Sequence, residues 1–310
     1  MYKDILVRFE GGLGDCFLAN RFLFAIKDKY PLSKLTIAFD TDGNLLQEQT
    51  MKSLWPSTYT NTYTIDKKFN KQFMVTNAQG QTVNYPCHPD NMPINFRENI
   101  KTCDKYYNLH IASLNFIRYD FGWLNWYNHF PRPEVVEDCG VQLPSRFILV
   151  HFYPRPDAST QLDRDYALKL IVELKKIMPV VAIAQEEHKQ WYEGVPDLIL
   201  TNLTISQIFN VASRSSLCYA ADSSIRFIPL HFGIPTFVFS RWCAKPHDIR
   251  SINHAHTFRW LLYRHNILPI DYDITKAVKL ASNLLQNQAY AIFPEFSDGL
   301  EVAIQDLYNF

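Results

Sequence analysis

The sequence predicts an α/β protein of two domains with mostly parallel sheets, and three observations predict it. The chain has 310 residues, past the roughly 250–300 at which single hydrophobic cores stop growing. Short apolar runs alternate with segments of helical period in both halves, the pattern of parallel strands joined by crossover helices. Each half also opens alike, with an apolar run, a turn-rich stretch and then a helical repeat.

The first half begins with an apolar strand at 5–9 that runs into Gly11-Gly12-Leu13-Gly14-Asp15. Phe17, Leu18, Phe22, Leu23 and Ile26 then recur at helical spacing until Pro31 closes the helix, and residues 35–39 supply a second strand before Asp40-Thr41-Asp42-Gly43. This is a βαβ unit. Residues 53–130 carry no clear period; they are dense in Tyr, Trp, Phe, Asn and Pro and read as an insert of elaborated loops. Pro131, Pro133 and Pro144 mark a linker, since proline restricts both itself and its predecessor. The expected domains are 1–140, binding an acceptor, and 141–310, binding a donor.

The second half repeats the grammar, with strands expected at 147–152, 180–184, 198–200, 217–220 and 236–239 and helices at 166–178, 206–212 and 223–232. Both halves therefore read as Rossmann-like, doubly wound sheets, and two such sheets facing each other place a cleft at their carboxyl edges.

Composition narrows the class. With 47% hydrophobic and 20% charged residues the chain is a compact globular protein. Thirty-one basic residues balance 31 acidic ones, so no overall field draws nucleic acid or anionic membrane. No run approaches the roughly 20 apolar residues of a membrane span, and the N-terminal residues lack the pattern of a signal peptide, so a cytoplasmic location is expected. The six cysteines form no Cys-x-x-Cys pair and read as buried free thiols rather than zinc ligands.

Two motifs carry chemistry. In the first, Gly12 and Gly14 let the backbone turn sharply near a ligand while the following helix aims N–H groups outward; Asp15 then stands either as a catalytic carboxylate or as a helix cap. A nicotinamide site, as in an NAD(P)-dependent oxidoreductase, competes here, but its third glycine falls at Phe17. Asp40-Thr41-Asp42 and Asp271-Tyr272-Asp273 match paired-acid metal motifs only as ordinary turn chemistry does. In the second motif a strand runs into Asp222-Ser223-Ser224, with Arg226 in the next turn. Hydroxyls, amides and a guanidinium there suit a diphosphate; an N-cap beside a surface cation is the plainer reading.

Together these stretches resemble the ADP-heptose:lipopolysaccharide heptosyltransferases of glycosyltransferase family 9. Gly-Gly-Leu-Gly-Asp at 11–15 is similar to the family's N-terminal signature, Asp222-Ser223-Ser224 with Phe232-Gly233-Ile234-Pro235 to its donor motif, and the segment 202–208 to the stretch before the donor strand. Ser224 stands where the family has glycine, Phe227 where it has histidine, and Arg21 where a helix proline is common. The resemblance implies the GT-B architecture and an inverting, metal-independent transferase of the hexosyl- or heptosyltransferase type, with no cofactor beyond its nucleotide diphosphate sugar.

In that implied scheme Asp15 is the base, Asp222, Ser223, Ser224 and Arg226 bind the donor with Arg155, and Glu186, beside Gln185, reaches the nucleoside. The acceptor would be a saccharide or glycan. Tyr106, Tyr107, Tyr119, Trp123, Trp126, Tyr127 and His129 offer rings that suit sugars as well as a core. The basic stretch 241–265 leaves a modified DNA base open as an alternative acceptor. A noncatalytic sugar-binding module is the remaining alternative.

Overall fold

A computed structural model describes residues 2–41, 45–66, 73–76, 82–85, 101–109, 130–153, 162–192, 194–240, 266–269 and 271–287. The chain divides into two compact units, Met1–Val135 and Val136–Phe310.

In the first unit β1 (Asp4–Glu10), β2 (Lys34–Thr41), β3 (Thr62–Asp66) and β6 (Lys105–Asn108) form a parallel sheet in the order β3-β2-β1-β6. A separate antiparallel pair joins β4 (Phe73–Thr76) and β5 (Thr82–Tyr85). The region read as loops thus supplies both edge strands of the main sheet, β3 and β6. Helix α1 (Leu13–Lys29) carries Asp15 in its first turn and Lys27 and Lys29 in its last, matching the sign of the helix dipole at each end. Residues 16–23 are all buried, so α1 is enclosed rather than laid on a surface. A short α2 (Leu46–Leu54) joins β2 to β3.

The core of this unit holds polar groups. Arg8 and Arg21 are 1% and 0% exposed, and the Arg21 guanidinium lies 4.9 Å from the centre of the Phe130 ring, within cation–π range. Tyr59 donates its hydroxyl to Asn20 Oδ1 at 2.6 Å, both residues being buried. Burial pushes the Tyr59 phenol well above its usual range, so it stays protonated and remains a donor.

In the second unit β7 (Ile148–His151), β8 (Val180–Ile183), β9 (Leu198–Leu200), β10 (Leu217–Ala221), β11 (Thr236–Ser240) and β12 (Asn266–Pro269) make one parallel sheet, β12-β11-β10-β7-β8-β9. Starting from β9, the strands follow the order 3-2-1-4-5-6 of the dinucleotide-binding doubly wound sheet. All of β7, β8 and β10 is buried, which is why these strands are apolar apart from His151 at the end of β7. Helices α3 (Arg164–Lys175), α4 (Ile205–Arg214) and α5 (Ile274–Asn287) accompany the sheet. Tyr219 stacks on Phe237 with centroids 4.7 Å apart and donates to the Ala277 carbonyl at 2.7 Å, tying β10 to α5.

The helix expected at 223–232 is instead two 3-10 turns, Ser224–Phe227 and Pro229–Phe232. Pro229 has no N–H to continue an α-helix, and its ring would clash with the carbonyl four residues back. Gly233, in the left-handed region at φ +71°, ends the second turn.

The chain crosses between the units along a segment pinned on both sides. Trp55 Nε1 donates to the Arg132 carbonyl at 2.8 Å, and the N–H groups of Glu134 and Val135 donate to the Leu54 carbonyl. Immediately beyond, Glu137 N–H donates to Ser206 Oγ at 2.9 Å and Thr204 Oγ1 donates to Glu137 Oε2 at 3.0 Å. Among the described residues no helix is long and apolar enough to cross a membrane.

Replacing Tyr59 with phenylalanine strands the Asn20 carbonyl oxygen in the core. The expected cost is about 1–3 kcal/mol, read as a lower denaturant midpoint for the first unit's transition.

Candidate functional site

The turn after β1 follows from three residues. Gly11 sits at φ +108°, where side chains are rarely tolerated, and a Cβ there would come within 2.5 Å of Asp15 Oδ2. Asp15 folds back over it and accepts the Gly12 N–H at 2.9 Å. Capping, the plainer of the two roles, is therefore what the carboxylate does at the start of α1, while Gly12 is the N-cap and Gly14 lies in the first turn. The position keeps its chemical interest, because the group stands at the carboxyl end of β1, beyond which doubly wound sheets bind ligands. Phe17, where a dinucleotide fold wants its third glycine, is fully buried.

In the second unit the sheet order reverses between β7 and β10, and it is beyond the carboxyl ends of the strands at such a switch point that doubly wound sheets bind ligands. Two segments meet there. Asp222-Ser223-Ser224 follows β10, and His151 ends β7, paired in register with Ala220. Ser223 Oγ lies 3.2 Å from His151 Nδ1. Although Ser223 occupies the N-cap position of the turn at 224–227, its side chain makes no capping bond.

Arg226 departs from the plainer of its two sequence expectations. It is 2% exposed, not a surface cation, and its Nη1 lies 2.7 Å from Asp222 Oδ1. The charge expected to face a phosphate is engaged within the turn itself, where the pair braces the Asp-Ser-Ser corner. The guanidinium carbon also lies 4.5 Å from the centre of the Phe227 ring. Phe227 itself is buried.

His151 was not among the residues the sequence singled out. A lone histidine inside an apolar strand reads as core, and only its position at the carboxyl end of the run marked it. Its burial lowers the ring to about 4, because desolvation penalises the imidazolium. A Ser–His pair can act as nucleophile and base, but a ring whose charged form is this disfavoured is a weak base.

Further along the same edge, Glu186 opens a 3-10 turn, Glu186–Tyr192, after β8. Its carboxylate accepts the Thr201 hydroxyl and, at 3.4 Å, Asn202 Nδ2, joining the ends of β8 and β9. Asn202 holds φ +58°. Gln185 is exposed. Tyr153, Trp191 and His188 cluster nearby, with Tyr153 4.6 Å from the His188 ring and 5.2 Å from that of Trp191.

The structure thus brings together Asp222, Ser223, Ser224 and Arg226, adds His151, and sets Glu186 along the same sheet edge. Asp15, Gly12 and Gly14 belong to the other unit. Arg155, Asp42, the basic stretch 241–265 and Tyr119, Trp123, Trp126, Tyr127 and His129 lie outside the described residues. Tyr106 and Tyr107 belong to β6, with Tyr107 buried. Asp273 accepts the Lys276 N–H at 2.8 Å before α5, an ordinary cap. Among the described residues no group of three or more His, Cys, Asp or Glu could hold a metal, and Cys16, Cys139 and Cys218 are buried free thiols.

By sequence the chain matches no family model and no curated protein. By structure it is similar to a glycosyl transferase family 9 protein from Veillonella parvula DSM 2008, with TM-score 0.60 and 12% identity over 92% of this chain and 97% of that one. The chain has the fold of the GT-B glycosyltransferases. The E. coli ADP-heptose LPS heptosyltransferase II shares that GT-B fold, with TM-score 0.53 and 10% identity over 92% of this chain and 100% of that one. At these identities the likeness is one of fold.

The buried imidazole gives a pH signature. The unfolded chain binds a proton near 6.5 and the folded one near 4, so stability should fall as pH drops from about 6.5 toward 4. His151→Leu should flatten that part of the profile in urea titrations at stepped pH.

Proposed function

We propose that this chain is an inverting glycosyltransferase that moves a sugar from a nucleotide diphosphate sugar to a hydroxyl of a saccharide or glycan without a metal ion. The observation that carries the reading is the switch-point corner of the second unit. There a strand of a GT-B sheet ends in Asp222-Ser223-Ser224, with the Ser223 hydroxyl turned from its cap toward β7.

The second unit holds the donor. Ser223, Ser224 and nearby backbone amides face the diphosphate, the Asp222–Arg226 pair keeps their corner in shape, and Arg155, four positions after β7 in sequence, supplies positive charge. Glu186, which follows β8, reaches the nucleoside. In the first unit Asp15 takes the proton from the acceptor hydroxyl as that oxygen attacks the anomeric carbon. The bond from that carbon to the diphosphate breaks as the new one forms, so the centre inverts, and hydrogen bonds stabilise the departing diphosphate.

Two outcomes test this. Screened against nucleoside diphosphates, the protein should gain about 2.7 kcal/mol from one of them at 100 times its dissociation constant; the gain should persist in EDTA and shrink in Ser223→Ala. A stabilisation abolished by EDTA would defeat the metal-free reading. Asp15→Asn should keep the cap, since an amide oxygen still accepts the Gly12 N–H, yet lose about 100-fold or more in turnover. Unchanged turnover in a normally folded variant would remove Asp15 as the base.

A further inference from the structure

Ser223 occupies a cap position without capping. Serine in that place ordinarily accepts an N–H of the following turn, and here that bond is not made. The nearest competitor for the hydroxyl is His151 Nδ1 at 3.2 Å. The histidine is itself held by its strand: β7 is buried along its length and hydrogen-bonded on one side to β10 and on the other to β8. A ring on so rigid a support fixes the serine rotamer more firmly than an exposed loop group would.

We propose that His151 is a positioning residue of the donor site, its Nδ1 fixing the Ser223 hydroxyl for the ligand's diphosphate; this rests on the donor-site reading above. With the ring proton on Nδ1 and donated to Oγ, the hydroxyl keeps its own proton for a phosphate oxygen. Freed from the ring, it would swing back to the cap of the turn at 224–227, away from the orientation the ring holds. No other role is needed for a histidine in an otherwise apolar strand, where a leucine would pack without desolvating an imidazole.

The test is a double-mutant cycle on the full chain, with ADP and UDP as probes and dissociation constants from calorimetry. Ser223→Ala and His151→Leu should each weaken the nucleotide that binds by about tenfold, and the double variant should be no weaker than the weaker single one. His151→Asn, which returns a polar atom near the place of Nδ1, should bind within about twofold of the wild type. His151→Gln, which places its amide further out, should not. These two polar variants keep the test sharp even if His151→Leu folds poorly. Losses that multiply in the double variant, or wild-type affinity in His151→Leu beside weakened Ser223→Ala, overturn the positioning role while leaving the donor site intact. Failure of the wild type to bind any nucleoside diphosphate of the screen above overturns the donor site and this proposal together.

Discussion

The second unit depends on the parallel pairing of β7 with β10, running from Leu217↔Ile148 to Ala220↔His151. Both strands are buried along their whole length, so neither has an alternative partner in water for its amides and carbonyls. That pairing fixes the point where the sheet order reverses. It sets His151 beside the Asp-Ser-Ser corner, and it places β8 and β9 on one side and β11 and β12 on the other. A β7 displaced by one residue would turn every side chain to the opposite face and carry the histidine out of reach of Ser223.

The first unit meets a different constraint. Its turn must let a helix begin tightly behind a strand, and it does so through reciprocal demands: Asp15 needs a glycine at 11 to lie over, and Gly12 needs the carboxylate for its N–H. The same geometry serves a cap and, in the proposed mechanism, would hold the carboxylate steady for proton transfer. A side chain already ordered by the backbone loses little freedom when an acceptor arrives, which favours reaction over a freely rotating acid.

Much of this was legible in the sequence, because a buried parallel strand is a short apolar run and few other structures look like one. The strands at 148–151, 180–183, 198–200, 217–221 and 236–240 stand where those runs stand, and so does the opening strand, turn and helix. The edge strands β3 and β6 were not legible, since Thr62–Asp66 and Lys105–Asn108 mix tyrosines with polar residues and lack an apolar run. The turns at 224–232 keep a helix-like apolar spacing, and only Pro229 betrays the break. Asp15 was visible as a residue with two possible jobs, but the capping bond became clear only from its distance to Gly12. His151 was invisible because its partner is remote in sequence and burial gives a histidine no signature of its own.

That remoteness bears on folding. His151 and Ser223 are 72 positions apart, and closing so long a loop costs entropy that only a nearly complete sheet repays. The contact is thus among the non-local ones, with α3, β8, β9 and α4 lying between its two halves in sequence. A fragment ending before β10 contains the residues of β7, β8 and β9, yet it lacks half of the corner. Binding at that corner would therefore report whether the second unit has finished folding, and a ligand held there would act as a clasp between the earliest and middle parts of its chain.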